Sequence, residues 1–159
     1  MIVDINGDVT LYNSPEIRKT LMDALNKKGQ HRVIVNMSGV LFETGKSDLK
    51  PAAREKLAKV AGILIAYPTL AIEVGGYTDN VGRDEMNQTL SENRAGAVRD
   101  YLVQQGVANA SVSARGFGNA SPVASNDNSA GRQENRRVEL VVSGEAIGSP
   151  ANVTTGSLR

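Results

Sequence analysis

Cysteine is missing from all 159 residues, which excludes disulfides and thiolate metal sites. The redox compartment stays open, because cysteine-free chains occur on both sides of a membrane. Tryptophan is also absent, and aromatic residues make up only 4% of the chain. Platforms that stack single-stranded bases need such rings. With 18 basic and 17 acidic residues the formal net charge is +1, too weak a field for phosphate backbones or anionic membranes. Nucleic acid is therefore not an expected partner. No apolar run approaches the roughly 20 residues of a membrane helix, so direct membrane insertion is not expected. The N-terminus, MIVDINGDVT, carries acids where an export signal would carry Lys or Arg. The expectation is either a chain without its export signal or a cytoplasmic protein. The one histidine, His31, is far from any triad pattern, and no metal-ligand cluster is visible. Neither catalysis, a cofactor nor a metal is expected.

What is present suits one globular unit with a core: 40% hydrophobic and 22% charged residues. Residues 2–11 read as a hairpin around Asn6-Gly7. Ser14 as N-cap, Pro15 and Glu16 open a helix that Gly29 ends. Arg32 to Met37 reads as a strand, and 41–47 as a Gly-punctuated loop. Pro51 starts a second helix with Leu57, Val60, Ala61, Leu64 and Ile65 on one side, and Pro68 stops it. Leu70 to Val74 is a strand followed by Gly75-Gly76. A third helix runs from about Asp84 to Gln105 and ends at Gly106. Strands at 111–115 and 137–142 enclose a long polar loop, 116–136, of a length that is usually functional or disordered. The tail from Gly144 reads as mostly disordered. Strands that alternate with helices predict an α/β sandwich.

Arg94 breaks the pattern. On a helical wheel with Met86 at zero and about 100° per residue, Leu90, Ala97, Tyr101, Val98 and Leu102 fill an arc centred near 80°. Arg94 falls at about 80° and Asn87 at about 100°. A guanidinium inside an apolar stripe must reach a carboxylate, a carbonyl or water. It either pairs with an internal acid such as Glu139 or points into a groove that awaits an anion. Asp79, in the turn Thr78-Asp79-Asn80-Val81-Gly82, is either the acceptor of an Asx turn or a carboxylate at the rim beside Arg94. An acid and a base at one rim can grip a zwitterion.

These residues carry a resemblance. The segments VIVNMSGVLFETGKSDLKPAAREKLAKVAGIL, GGYTDNVGRDEMNQTLSENRAGAVRDYLVQQGV and ARGFGNASPVASNDNSAGRQENRRVELVV, in this order, resemble the OmpA-like domain of outer-membrane proteins, peptidoglycan-associated lipoproteins and flagellar stator proteins. The resemblance spans about 32–143. It implies a βαβαββ sandwich with a mixed sheet and helices on one face. It also implies a ligand, the meso-diaminopimelate residue of the peptidoglycan stem peptide, and a periplasmic or wall-associated place. By resemblance Asp79 takes the ligand's ammonium and Arg94 its carboxylate. Leu41, Phe42, Glu43, Thr44 and Gly45 form one wall, and Thr78, Asn87 and Leu90 line the remainder. Arg136 is either a further member or, as one Arg of the NRR run, only a brace for the sheet. Tyr77 departs from the family's usual His before Thr-Asp.

Residues 2–40 instead resemble the opening of a STAS domain, the anti-sigma-factor-antagonist fold. The chain then divides into a STAS-like hairpin and helix over 1–31, an OmpA-like domain over 32–143 and a tail over 144–159. On this reading the N-terminal piece extends the OmpA-like sheet, and the whole resembles a natural or engineered chimera. Three functions follow. The first is non-catalytic binding of the stem peptide, with modest affinity for a small ligand. The second is a chimeric scaffold with a blocked or vestigial site. The third is a partner switch phosphorylated near Ser38 or Thr44, against which the missing second half of a STAS domain argues. Exposed edge strands also allow a homodimer.

Overall fold

A computed structural model describes residues 2–3, 9–12, 32–38, 42 and 46–144. The Asn6-Gly7 turn, the helix expected from Pro15 and the tail beyond Gly144 lie outside the described residues. The elements run β1 (Ile2–Val3), β2 (Val9–Tyr12), β3 (Arg32–Ser38), α1 (Pro51–Ala66), β4 (Ala71–Tyr77), α2 (Asp84–Gln104), β5 (Val112–Gly116), α3 (Ser129–Asn135) and β6 (Arg137–Ser143). From β3 onward this is the expected βαβαββ order with one short helix added before the last strand.

The described strands form one six-stranded sheet in the order β1-β2-β3-β6-β4-β5. β6 runs antiparallel to both its neighbours, β3 and β4, whereas β5 is parallel to β4 and β2 is parallel to β3. The first strands thus extend the edge of the sheet, as expected of the N-terminal segment. β1 pairs with β2 as an antiparallel ribbon.

Register stacks the core in rows. Val33, Val142 and Ile72 lie side by side, then Val35, Leu140 and Val74, then Met37, Val138 and Gly76. Side chains alternate across a strand, so all three rows share one face. α1 and α2 cover that face and contribute Leu57, Val60, Leu64, Ala95, Val98 and Leu102 to the same core. Pro51 begins α1, where its missing N–H costs nothing, and Tyr67 closes the helix by donating to the Ile63 carbonyl at 3.0 Å. Ile63 is buried in place of Ile65, which is 48% exposed.

α2 begins with Asp84 and Glu85, whose charges suit the positive end of a helix. It ends in a Schellman motif: Val107 donates to the Leu102 carbonyl and Gly106 to that of Val103. Gly106 has φ of 114°, a conformation a side chain would resist.

β4 runs three residues past the expected end at Val74. Gly75 and Gly76 belong to the strand because their neighbours leave no room for side chains. A Cβ on Gly76 would collide with the Ser91 carbonyl of α2, and one on Gly75 would press on the Tyr77 and Phe117 rings of the other face. The third row is therefore thin, and α2 comes down onto the sheet there. The strand then delivers Thr78 and Asp79 directly beneath the helix.

Among the described residues, no helix is long and apolar enough to cross a membrane.

Candidate functional site

The site is built where β4 ends, α2 begins and α3 hands over to β6. Thr78 donates its N–H to the Gly118 carbonyl at 2.7 Å, and Gly118 in turn donates to the Ser91 hydroxyl at 2.9 Å. The end of the strand, the following loop and α2 are thus tied by two buried bonds. The Thr78 hydroxyl donates to the Asp79 carbonyl at 2.8 Å.

Asp79 fills both readings left open by its sequence. Its Oδ1 accepts the Val81 N–H at 3.0 Å, which makes the Asx turn. Its Oδ2 meets the Arg136 guanidinium at 2.6 Å. The residue is only 8% exposed. Two charge-assisted bonds at that burial hold the carboxylate in one orientation, and they use two of its roughly four acceptor positions. Asn87, 6% exposed, donates to the Val81 carbonyl at 3.1 Å and so fixes the turn from above.

Arg94 is 4% exposed. Its Nε donates to the Lys46 carbonyl at 2.9 Å, and its guanidinium lies 5.2 Å from the centre of the Phe42 ring. Phe42 therefore lies against Arg94, and it is pinned by a bridge to Leu49. Leu41, Glu43, Thr44 and Gly45 lie outside the described residues. Leu90 is half-buried on the same helix. The buried residues of α2 are Asn87, Ser91, Arg94, Ala95, Val98 and Leu102. On the wheel they fill an arc of about 80° to 180°, so Arg94 stands at the rim of the buried stripe rather than at its middle. Met86 and Leu90 had drawn the expected centre too far round; Met86 is 64% exposed.

Burial lowers the pKa of Arg94 from its ordinary value. The neighbouring Arg136 lowers it as well, and Asp79 raises it. Both Arg136 and Asp79 thus act electrostatically on Arg94, which brings two guanidiniums and one carboxylate into one cluster. Such a cluster can accept a carboxylate between the two arginines.

The internal acid considered for Arg94 is engaged elsewhere. Glu139 lies on the opposite face of the sheet and meets Arg137 at 2.7 Å. Arg137 also donates to the Ser121 carbonyl at 2.9 Å and lies 3.9 Å from the centre of the Tyr77 ring, which stacks on Phe117 with centroids 5.0 Å apart. Of the NRR run, Arg136 reaches the site and Arg137 braces the sheet. Tyr77, at the family's His position, faces this brace and not the Arg94 side.

Burial, and after it Glu139, raises the pKa of Tyr77 above its ordinary 10.0. The folded state then holds the phenol proton more tightly than the unfolded state does. Stability should be intact below about pH 10 and decline as pH rises through the higher folded value. Thermal unfolding followed across alkaline pH should show this decline in the native protein and a smaller one in Tyr77→Phe. Equal declines would remove Tyr77 as the cause.

Sequence reasoning missed Asn135. It is fully buried, and its side chain accepts from the Val123 and Ala124 N–H groups at 2.7 and 3.0 Å while donating to the Ala124 carbonyl at 2.8 Å. It shapes the loop that leads to Arg136. It sits in α3, which lay unseen in the polar loop because seven residues carry too little periodicity. The available signal was Asn128, whose side chain accepts the Gly131 N–H at 2.7 Å as an N-cap.

Among the described residues, no group of three His, Cys, Asp or Glu could hold a metal ion.

Residues 41–136, well over half of the chain, match the model of the OmpA family. The chain belongs to the OmpA family. It is 41% identical over 112 residues to the probable lipoprotein YiaD of Escherichia coli K12, covering 70% of this chain and 51% of that protein. It is 44% identical over 103 residues to the peptidoglycan-binding protein ArfA of Mycobacterium bovis, covering 65% and 32%. The chain thus spans about half or less of these relatives' own length. Among solved structures, the type VI secretion cell wall anchor of Pseudomonas aeruginosa superposes with a TM-score of 0.67 at 28% identity, covering 82% of this chain and 99% of that one. The peptidoglycan-associated lipoprotein of Burkholderia pseudomallei gives 0.64 at 30% identity, covering 76% and 100%. The expected OmpA-like fold is therefore the observed one.

Proposed function

We propose that this OmpA-family chain is a non-catalytic binder of peptidoglycan in the bacterial envelope. In this reading it grips the meso-diaminopimelate residue of a stem peptide. The observation that carries the reading is the convergence of Arg94, Arg136 and Asp79 beneath α2. The ligand's carboxylate lies between the two guanidiniums, and its ammonium takes the acceptor positions that Asp79 has left. Thr78, Asn87 and Leu90 flank it and Phe42 walls it, with Glu43, Thr44 and Gly45, expected on that wall by resemblance, outside the described residues. The names of its relatives, a peptidoglycan-binding protein, a peptidoglycan-associated lipoprotein and a cell wall anchor, point the same way.

Titration with meso-diaminopimelate, followed by backbone amide NMR, tests the reading. Saturable shifts should appear at Asp79, Arg94 and Arg136. Absence of shifts in a folded sample would replace binding with the second reading, a scaffold whose site is blocked. That second reading draws on residues 1–31, which we treat as an addition resembling a STAS opening. β2 joins the same sheet as the OmpA unit through parallel pairing with β3, Val9 opposite Val33, and the family match begins at 41.

A further inference from the structure

A cleft of about 400 Å³ opens one step along α2 from Arg94, within the size range of small-ligand pockets. Tyr101, Asp48, Arg54, Asp100 and Gln104 supply its chemistry. Two features join it to the site already described. Ala97 and Tyr101 stand three and seven residues after Arg94, on the same side of the helix, and both line the cleft. The segment after Lys46 is a shared wall: the Lys46 carbonyl holds Arg94, and Ser47, Asp48 and Leu49 face the cleft. The bridge between Phe42 and Leu49 locks the two ends of that wall together.

We propose that this cleft is a second subsite, which takes a sugar ring of the glycan that carries the stem peptide. This rests on the stem-peptide reading above. Tyr101 is half-buried, packed against the core, and so a rigid aromatic surface in a polar cleft. Around it stand carboxylates, a guanidinium and an amide, donors and acceptors together, which suit hydroxyl and acetamido groups. Asp48 and Arg54 are exposed, and their side chains have no hydrogen-bond or ion-pair partner among the described residues. Asp100 is paired with Arg99 at 3.0 Å, which leaves Asp48 and Arg54 as one acid and one base, so the cleft, unlike the Arg94 site, does not select an anion. A sugar whose lactyl carboxyl is amide-linked to a stem is neutral at that point. Spacing agrees: seven helical residues from Arg94 to Tyr101 rise about 10 Å. Diaminopimelate is separated from the sugar by two stem residues, a reach of about 7–10 Å.

Calorimetric titration of the whole chain with two ligands tests the subsite. One is the free tetrapeptide stem that contains meso-diaminopimelate; the other is the same stem on its N-acetylated disaccharide. The glycosylated ligand should bind roughly 3- to 10-fold more tightly. Tyr101→Ala and Asp48→Ala should each bring its Kd toward that of the free stem and leave the free-stem Kd unchanged. Asp48 is exposed, so this variant carries the test even where Tyr101→Ala unfolds. Equal Kd values for both ligands in the native chain would overturn the subsite and leave the stem-peptide reading standing. So would variants that weaken both ligands alike. If neither ligand binds, the stem-peptide reading falls and takes the subsite with it.

Discussion

Arg94→Ala should weaken binding of meso-diaminopimelate by about 30-fold or more. Removing one member of a buried, hydrogen-bonded charge pair costs roughly 2–5 kcal/mol, and 1.4 kcal/mol is tenfold in Kd. Arg94 meets the condition of burial, at 4% exposure, so the lower end of that range sets the smallest expected loss. A carboxylate placed there would lose a donor that water cannot replace. The same change also leaves the Lys46 carbonyl without its 2.9 Å donor, so some stability is lost with it. Arg94→Lys separates the two effects. It keeps the charge and much of the stem but loses the planar fork, so affinity should still fall while the melting temperature recovers. Asp79→Asn makes the complementary test. Its amide oxygen can still accept the Val81 N–H, so the turn survives, while the charge that Arg136 and a ligand ammonium require is gone. Native affinity in both Arg94→Lys and Asp79→Asn would show that the ligand sits elsewhere.

Arg94 drew attention because it violated a local rule: an arginine in an apolar stripe is costly unless it finds a partner. Asp79 obeyed one, the Asx turn, so its sequence alone left the turn and the rim readings open. Arg136 was harder to read. Nothing in the run Asn135-Arg136-Arg137 says which guanidinium turns to which face. The register decides it: Arg137 pairs with Tyr77 as the first residue of β6, and Arg136 falls in the corner before it. Asn135 was invisible for a different reason. Its role is to satisfy backbone groups of a loop 11 and 12 residues away, and such partners exist only once the loop has closed. The helix limits followed from Pro51, Pro68 and Gly106, residues whose backbone constraints are local. β4 was read short because Gly75-Gly76 looks like a strand end. Only the approach of α2 shows why a strand would carry two glycines there.

Gly76→Ala should be among the most damaging single substitutions in the OmpA unit. The added methyl would collide with the Ser91 carbonyl, a backbone atom in the middle of α2 that cannot rotate aside. Either α2 lifts from β4 or the strand bends. Overpacking of this kind typically costs about 1–3 kcal/mol, and a rigid backbone partner puts it at or above the top of that range. For a domain of this size the melting temperature should fall by about 10 °C. Affinity should fall too, because α2 carries Asn87 and Arg94, whose bonds to the Val81 and Lys46 carbonyls depend on this contact. Gly96→Ala is the matched control. It lies on the same helix, nothing stands within 4 Å of its added Cβ, and its φ is not positive. Alanine there should raise stability by up to about 1 kcal/mol, since glycine is a poor helix residue. Thermal unfolding of the two variants beside the native chain measures the difference. A Gly76→Ala midpoint equal to that of the native chain would mean that α2 rides farther from the sheet. The thin third row would then not be what brings Arg94 over the strand end.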